Sequence, residues 1–443
     1  MNTFKHLKFA LAFAGFIIIY FVLYFIFVPI GAESVAMWND FHKSNLIDLI
    51  YIGTSSCEND INPEVIDSEI HLRSYNMGTP SQSLQSSYIG IKEAIKTKRI
   101  KYVVLTIDNN SLRSSNKNAD AAFMYGKMRK DSITGVFFDY IDYMSINNYF
   151  GKKESLNFFF PWIDYHVPLD KVHIRKNLRL KLENKDFYDY LSETNIYWKG
   201  NGYKYLKGQL NPDEVGSKIA KYRYKSNFSD KSMKILDSII KLCNDNNVKL
   251  YVIGTPRPAL DYLSLDTKNN FKAYKDIKSY LSKRGVEYYD FNLLNDDLRM
   301  DSVIYYRDSE HMTEEGATKF SKILADFIRD KINNRNTDLY FCTPSEYINS
   351  INYIASVNFN LVKNNNSVTI KSEAFTGTNV VPEFQIEIYD NVAKKYEIVR
   401  DYSTESDFTF IPKQKGKVKI RINSRIVGSS VPYERYFEKS VNI

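Results

Sequence analysis

"YIGTSSCENDINPEVID", residues 51–67, sets two serines and a cysteine directly after a short apolar run. The run is the end of "LIDLIYIG" (46–53), a nearly continuous apolar stretch of the kind that forms a strand buried on both faces. Gly53 marks the exit from that strand, and Pro63 stands near the start of a helix, "NPEVIDSEI". Downstream, the alternation of strand and helix repeats. "SYNMGTP" (74–80) ends in a Gly-Thr-Pro turn, "QSLQSSYIGIKEAIKTK" (82–98) reads as a helix, and "IKYVVLTID" (100–108) is a second clear strand. Then come helix "SDKSMKILDSIIKLCNDNN", strand "VKLYVIGTP", helix "KAYKDIKSYLSKRG", strand "VEYYDFN" and helix "TEEGATKFSKILADFIRDKI". In that last helix Ala317, Phe320, Leu324, Phe327 and Ile328 recur at helical spacing and give one buried face. Strands separated by helices of this length imply an α/β domain with a parallel sheet covered on both faces, spanning about residues 45–334. Such folds place their sites beyond the carboxyl ends of the strands.

Two stretches interrupt the order. Residues 112–228 are too long for a loop and must carry structure of their own. They include "VFFDYIDYMSINNYF" and "NFFFPWIDYHVP", dense in aromatics, and the expectation is a helical insertion with a small core. From about residue 345 the pattern changes to short alternating runs, "SVTIKSEAF", "EFQIEIYD", "KYEIVRDYS", "FTFIP" and "KVKIRINS". These predict an all-β sandwich over 345–443, joined through the polar linker "NNRNTD" (333–338).

The amino terminus bears on location. From Phe9 to Ala32 there are 24 residues without a charge, and about 20 apolar residues suffice to cross a bilayer as a helix. Lys5 and Lys8 precede the span, while Glu33 and Asp40 are the first charges after it. The positive-inside rule then leaves residues 1–32 as cytoplasmic terminus and anchor, 33–44 as a stem, and the rest of the chain outside. A cleaved signal peptide with "SVA" (34–36) as its cleavage site is the rival, although its apolar core would be longer than usual. A net charge of +8 with interspersed signs and no basic block argues against nucleic acid. Three scattered cysteines, Cys57, Cys243 and Cys342, make neither a disulfide framework nor a zinc site.

A serine hydroxyl needs a histidine to take its proton and a third group to orient that histidine. Of six histidines, His6, His42, His71, His166 and His173 fall in the cytoplasmic end, the stem, a helix–strand junction and the insertion. Only His311, in "YYRDSEHMTEEG" (305–316), sits in a loop at the expected active edge, three residues after Asp308. Ser55 is the candidate nucleophile, Ser56 its neighbour, and Cys57 the competitor of intrinsically greater reactivity. The blander readings are a turn-forming serine, a helix-capping aspartate and an exposed loop histidine. Arg257 in "GTPRP" also falls at the carboxyl edge, as a structural arginine or as a group that binds a substrate anion.

Taken together, "IGTSSCENDINPEVID" and the distant "DSEHMTEEG" resemble the first and last motifs of the SGNH (GDSL-like) hydrolases. The likeness is strongest to their membrane-anchored branch of D-alanine transfer (DltD-like) and polysaccharide O-acetylating proteins. The resemblance implies a flavodoxin-like three-layer fold, Ser55 as nucleophile and Asp308 with His311 as the D-x-x-H pair. It also implies an oxyanion hole from the backbone N–H groups of Ser55 and Gly78, completed by an asparagine. Here "LTIDNNSL" lacks the family's Gly-x-Asn-Asp pattern, so Asn109 or Asn110 is the candidate. The C-terminal "YEIVRDYSTESDFTFIPKQKGKVKIRINSR" resembles triple-tyrosine, immunoglobulin-like modules of clostridial surface proteins, with Tyr402, Pro412 and Gly416 matching.

The expected activity is that of an extracytoplasmic, membrane-anchored serine esterase or O-acyltransferase. It would act on acetyl or D-alanyl groups of a cell-envelope polysaccharide or teichoic acid of a Gram-positive cell. A multispanning acyl-exporting protein is the expected partner, and no metal or organic cofactor is implied. The alternative is a non-catalytic, glycan-binding or scaffold subunit with a vestigial site.

Overall fold

Every side chain of β1 (Leu49–Ile52) is buried, as the unbroken apolar run requires of a strand covered on both faces. The computed structural model describes residues 2–30, 33–108, 111–112, 116–128, 160–193, 196–211, 213, 228–263, 267–364, 367–390, 392–412 and 416–442. Asn109, Asn110 and the aromatic run 136–150 lie outside the described residues. The chain forms two units, residues 1–207 with 228–253, and residues 208–227 with 254–443.

In the first unit β1 pairs in parallel with β2 (Ser74–Asn76) on one side and β3 (Tyr102–Thr106) on the other. Beyond the hairpin of β4 (Tyr197–Gly200) and β5 (Tyr203–Tyr205), the chain returns to the sheet as β6 (Lys249–Gly254), parallel to β3. The order β2-β1-β3-β6 is that of a doubly wound, flavodoxin-like sheet. Helix Leu84–Lys98 buries Leu84, Ile89, Ile91 and Ala94, and helix Asp230–Asp245, which packs against it, buries Ile235, Leu236, Ile239 and Cys243. Both are N-capped by serines, Ser83 and Ser229, whose hydroxyls accept from the backbone three residues on.

The amino-terminal helix runs Asn2–Phe27, and within it Phe4–Phe27 is long and apolar enough to cross a membrane. The uncharged span ending at Ala32 thus overshoots the helix, because Val28 and Ile30 are already buried in the folded unit. Residues 33–43 of the expected stem form a helix. Helix Glu33–Lys43 buries Val35, Ala36, Met37, Trp38 and Phe41, with Trp38 packed edge-on to Phe41 and Phe123. The described part of the insertion contains helices Lys117–Met128, Lys171–Leu182 and Phe187–Glu193 besides the β4–β5 hairpin. Its small core is not self-contained: Tyr125 and Tyr165 pack with Val28 and Val35, which precede the sheet in sequence.

The second unit opens at Gly254, where an added Cβ would lie 2.5 Å from Tyr288 Oη. β7 (Tyr288–Asp290) is shorter than "VEYYDFN" suggests, because Asp290 accepts from Asn292 N and turns the chain into a 3-10 helix at Phe291–Leu293. Helix Glu314–Ile332 follows, capped by Thr313, with the apolar face expected from its spacing fully buried.

Among the described residues, seven antiparallel strands follow: β8 (Ile354–Lys363), β9 (Val368–Thr376), β10 (Pro382–Asp390), β11 (Lys395–Ser403), β12 (Asp407–Phe410), β13 (Lys417–Ile426) and β14 (Arg435–Asn442). They form sheets β12-β9-β8 and β11-β10-β13-β14. Val357, Phe359 and Ile370 of one sheet meet Phe384, Ile386, Ile420, Ile422 and Phe437 of the other in one core, which makes a sandwich. The residues just past the polar segment 333–338 are packed. Phe341 lies 5.2 Å from the Phe291 ring, Cys342 N–H donates to Leu293 O at 2.8 Å, and Tyr340 Oη donates to Asp330 Oδ2 at 2.8 Å.

Candidate active site

Ser55 opens a six-residue helix, Ser55–Asp60, and the glycine two residues before it permits that placement. A Cβ on Gly53 would fall 1.9 Å from Thr106 Oγ1 and 2.7 Å from Thr106 O, so β1 ends against β3 only with glycine there. Thr54 holds the turn: its hydroxyl donates to Asp108 Oδ2 at 3.0 Å and lies 3.1 Å from Ser56 Oγ. Asp108 is itself fixed by Ser111, whose N–H donates to Oδ1 at 2.7 Å. This Thr54–Asp108 link occupies the end of β3, next in sequence to the asparagine candidates at 109 and 110.

The three candidate nucleophiles differ in access. Ser55 is half-buried, whereas Ser56 and Cys57 are buried. Burial pushes the Cys57 thiol well above its ordinary range, and the nearby Asp60 and Glu58 carboxylates push it further, against a hydrogen bond with Thr106. A thiol held neutral in this way is inert as a nucleophile. Among the three, only Ser55 reaches the surface, in the first helical turn, where backbone N–H groups point along the axis.

Asn76, at the end of β2, is the residue that sequence reading missed. It is fully buried, and its Nδ2 donates to Cys57 O at 2.7 Å and to Ile61 O at 2.9 Å. Its Oδ1 accepts the Gly78 N–H at 2.9 Å. The Gly78 N–H, the expected oxyanion donor, is thus engaged by a side chain in this structure. Gly78 is glycine for another reason as well, because a Cβ would lie 2.6 Å from Glu58 N and 2.9 Å from Cys57 Cβ. Close packing of the 76–79 turn on the serine-bearing helix leaves no room for a side chain.

The insertion reaches the same helix. Lys204 of β5, buried, places its ammonium 3.0 Å from Glu58 and 2.9 Å from Glu33. Burial pulls Lys204 down, but the two carboxylates outweigh it and raise it above its ordinary value; Lys204 in turn lowers Glu33 against the opposing effect of burial. Asn201 O also accepts the Asn76 backbone N–H at 2.9 Å, and a Cβ on Gly202 would come within 1.7 Å of Asn76 O. No motif marks Lys204; a lone charged residue between tyrosines in "YKY" is the only sequence signal.

In the second unit Asp308 and His311 come together as their spacing implied. His311 Nδ1 lies 2.9 Å from Asp308 Oδ1 and 3.0 Å from Oδ2. Oδ1 also accepts the backbone N–H groups of Glu310 (2.8 Å) and His311 (2.9 Å), and Arg307 sits 3.0 Å from Oδ2. Burial pushes the Asp308 carboxyl up, but the His311 ring, the loop N–H groups and Arg307 hold it well below the usual carboxylate range. An ionised carboxylate only accepts, so Nδ1 is the donor of this pair, and a neutral ring so held would have its lone pair on Nε2. The loop is clamped at its base: Arg307 N–H donates to His311 O and Thr313 N–H to Tyr305 O, both at 2.9 Å. Arg257 Nη1 donates to Glu310 O at 2.7 Å, so this arginine braces the loop, as its structural reading implied.

A family model matches residues 184–333. No curated protein matches the chain. Among solved structures, the chain is similar to a protein described as an acylhydrolase (BF3764) of Bacteroides fragilis NCTC 9343, at 12% identity and a TM-score of 0.32, over 67% of this chain and 94% of that one. A GDSL-like lipase (BT0569) of Bacteroides thetaiotaomicron VPI-5482 matches at 8% identity and a TM-score of 0.31, over 68% and 100%. The diltiazem-metabolizing gut microbial enzyme BT4096 matches at 8% identity and a TM-score of 0.28, over 81% and 71%. At such scores the likeness carries no argument by itself.

Proposed function

We propose that the chain is a membrane-anchored serine esterase or O-acyltransferase of SGNH type, acting outside the membrane on acyl groups of a cell-envelope glycopolymer. The observation that carries the reading is the Asp308–His311 pair, held at 2.9 Å with its Nδ1 side fixed by a carboxylate. In this reading Ser55 has the part of the nucleophile that attacks the ester carbonyl and His311 that of the base that takes the hydroxyl proton. The tetrahedral oxyanion is stabilised by N–H groups of the first turn at Ser55. His311 then protonates the leaving alcohol. Water as acceptor completes hydrolysis, and a polymer hydroxyl completes transfer. The apolar helix Phe4–Phe27 supports the anchored form, and an acyl-exporting membrane protein would supply the donor in the transfer case.

One observation favours the second reading, a non-catalytic glycan-binding or scaffold subunit: Gly78 N–H is spent on Asn76 Oδ1. Loss of one oxyanion donor typically costs about 10²–10³ in rate. Labelling of the full chain by a fluorophosphonate probe separates the two. The enzyme reading expects labelling that vanishes in Ser55→Ala and persists in Cys57→Ala; no labelling of the wild type supports the scaffold.

A further inference from the structure

Residues 160–163 run alongside the apolar helix, before Tyr165 and Val167 enter the folded unit. The Phe160 ring lies 6.5 Å from Phe16 and 6.2 Å from Tyr20, and Trp162 packs edge-on to Tyr20 at 4.7 Å. Val167 N–H then donates to Phe27 O at 3.0 Å, where the helix ends. Phe16 precedes Phe27 by eleven residues. Tyr20 precedes it by seven, so at 1.5 Å per residue Phe160, between Phe16 and Tyr20, lies roughly 13 Å below the helix end, and Trp162 roughly 10 Å. A bilayer's hydrocarbon core is about 30 Å thick, so both rings fall within its outer half if this helix spans it.

The next helix, Lys171–Leu182, suits the level above. It clasps the end of the apolar helix: Asn177 Nδ2 donates to Ile26 O and Val28 O, and Lys181 Nζ to Phe25 O at 2.7 Å. Its outer stripe is Val172, Arg175, Arg179 and Leu182, all exposed, and Leu169 just before it is 69% exposed. Exposed aliphatics beside cations, at the height where a spanning helix emerges, suit the head-group region of an anionic bilayer.

We propose that residues 160–163 are a second membrane-embedded element, a wedge in the outer leaflet beside the anchor, with helix Lys171–Leu182 lying on the phosphate head groups above it. The occupant of this surface is lipid. This rests on the reading of Phe4–Phe27 as a membrane span, and the test separates the two.

The full chain is reconstituted in phosphatidylcholine–phosphatidylglycerol vesicles whose acyl chains are brominated, and flotation is scored first. Of three tryptophans, Trp38 is wholly buried, and the difference between wild type and Trp162→Phe isolates the Trp162 emission. The expected result is loss of most of that emission to brominated chains, with little quenching by aqueous acrylamide. As a second probe, Ile163→Cys in a Cys342→Ser background, labelled with an environment-sensitive fluorophore, should shift to the blue in vesicles. A chain that floats while Trp162 is quenched by acrylamide and not by bromine overturns the wedge and leaves the anchor standing. A chain that does not float overturns the anchor, and the wedge with it.

Discussion

Asp308 Oδ1 lies 2.9 Å from His311 Nδ1 and the same distance from the His311 backbone N–H, so one carboxylate oxygen fixes both the ring and the main chain of the residue it orients. Replacing Asp308 by Asn keeps the shape but offers an amide that no longer stabilises an imidazolium and admits the wrong tautomer. The expected loss in kcat is on the order of 10⁴-fold, the size of the effect when the aspartate of a serine-protease triad is changed in the same way. Ester hydrolysis by wild type and Asp308→Asn measures it; equal rates would remove the pair from the mechanism.

The same carboxylate gives a pH signature in stability. Its folded-state pKa is depressed below the unfolded value, so its contribution is present above the unfolded pKa of about 3.9 and is lost as pH falls through the lower folded value. The Tm gap between wild type and Asp308→Asn should hold steady from neutral pH to about 5 and shrink below about 3.9. A gap that closes near neutrality would mean that some other group governs this loop.

Asn76→Ala should be among the most damaging single changes near Ser55. It would strand Ile61 O, the Gly78 N–H and the Cys57 thiol, all inside the fold, while Cys57 O keeps the Ile61 N–H. Each stranded group costs about 1–3 kcal/mol, so a loss of several kcal/mol is expected in denaturant unfolding. If Asn76→Ala folds with modest loss, the released Gly78 N–H becomes available to an oxyanion, and the hydrolytic rate should rise rather than fall. Unchanged rate in a folded variant would show that Gly78 has no part in the chemistry.

How far the sequence disclosed this arrangement differs by feature. The buried strand before Ser55 and the face of helix Glu314–Ile332 were plain, because an apolar run and a helical period are local properties. Asp308 and His311 were plain too, being three residues apart. Asn76 and Lys204 were not, since their roles depend on which distant backbone reaches them: Ile61 for one, Glu33 and Glu58 for the other. The packing that follows the polar segment 333–338 was hidden for a related reason. "NNRNTD" is polar, but the residues after it, Phe341 and Tyr347, are buried or stacked against aromatic rings upstream.

Lys204→Met tests the buried charge cluster. It leaves Glu33 and Glu58 facing each other without a cation, and breaking a buried pair in this way typically costs about 3–5 kcal/mol. The signs define a window. Lys204, raised, stabilises below its unfolded pKa of about 10.4 and loses this as pH climbs through the folded value; Glu33, lowered, stabilises above about 4.3 and loses this in acid. The wild-type advantage over Lys204→Met should therefore be largest between these limits and fall away outside them, as read from unfolding midpoints against pH. A pH-independent difference would mean that the lysine matters here only for its packing.

Truncation tests the join between the second unit's helices and its β-sandwich. A chain ending at residue 334 loses Phe341, whose ring lies 5.2 Å from Phe291 and 5.9 Å from Phe327, and Tyr347, buried 5.5 Å from the Tyr262 ring. It also loses the Cys342 N–H bond to Leu293 O and the Tyr340 bond to Asp330. Full burial of one such aromatic side chain is worth about 1.5–3 kcal/mol, and a marginally stable unit cannot spare two of them. The chain ending at 334 should therefore aggregate or unfold at markedly lower temperature than the full chain. One ending at residue 352 keeps both rings and should recover most of the difference, since what it then lacks is the sandwich with its own core around Phe359 and Ile386. Equal Tm for the 334 chain and the full chain would show "NNRNTD" to be a free linker and the sandwich an independent module.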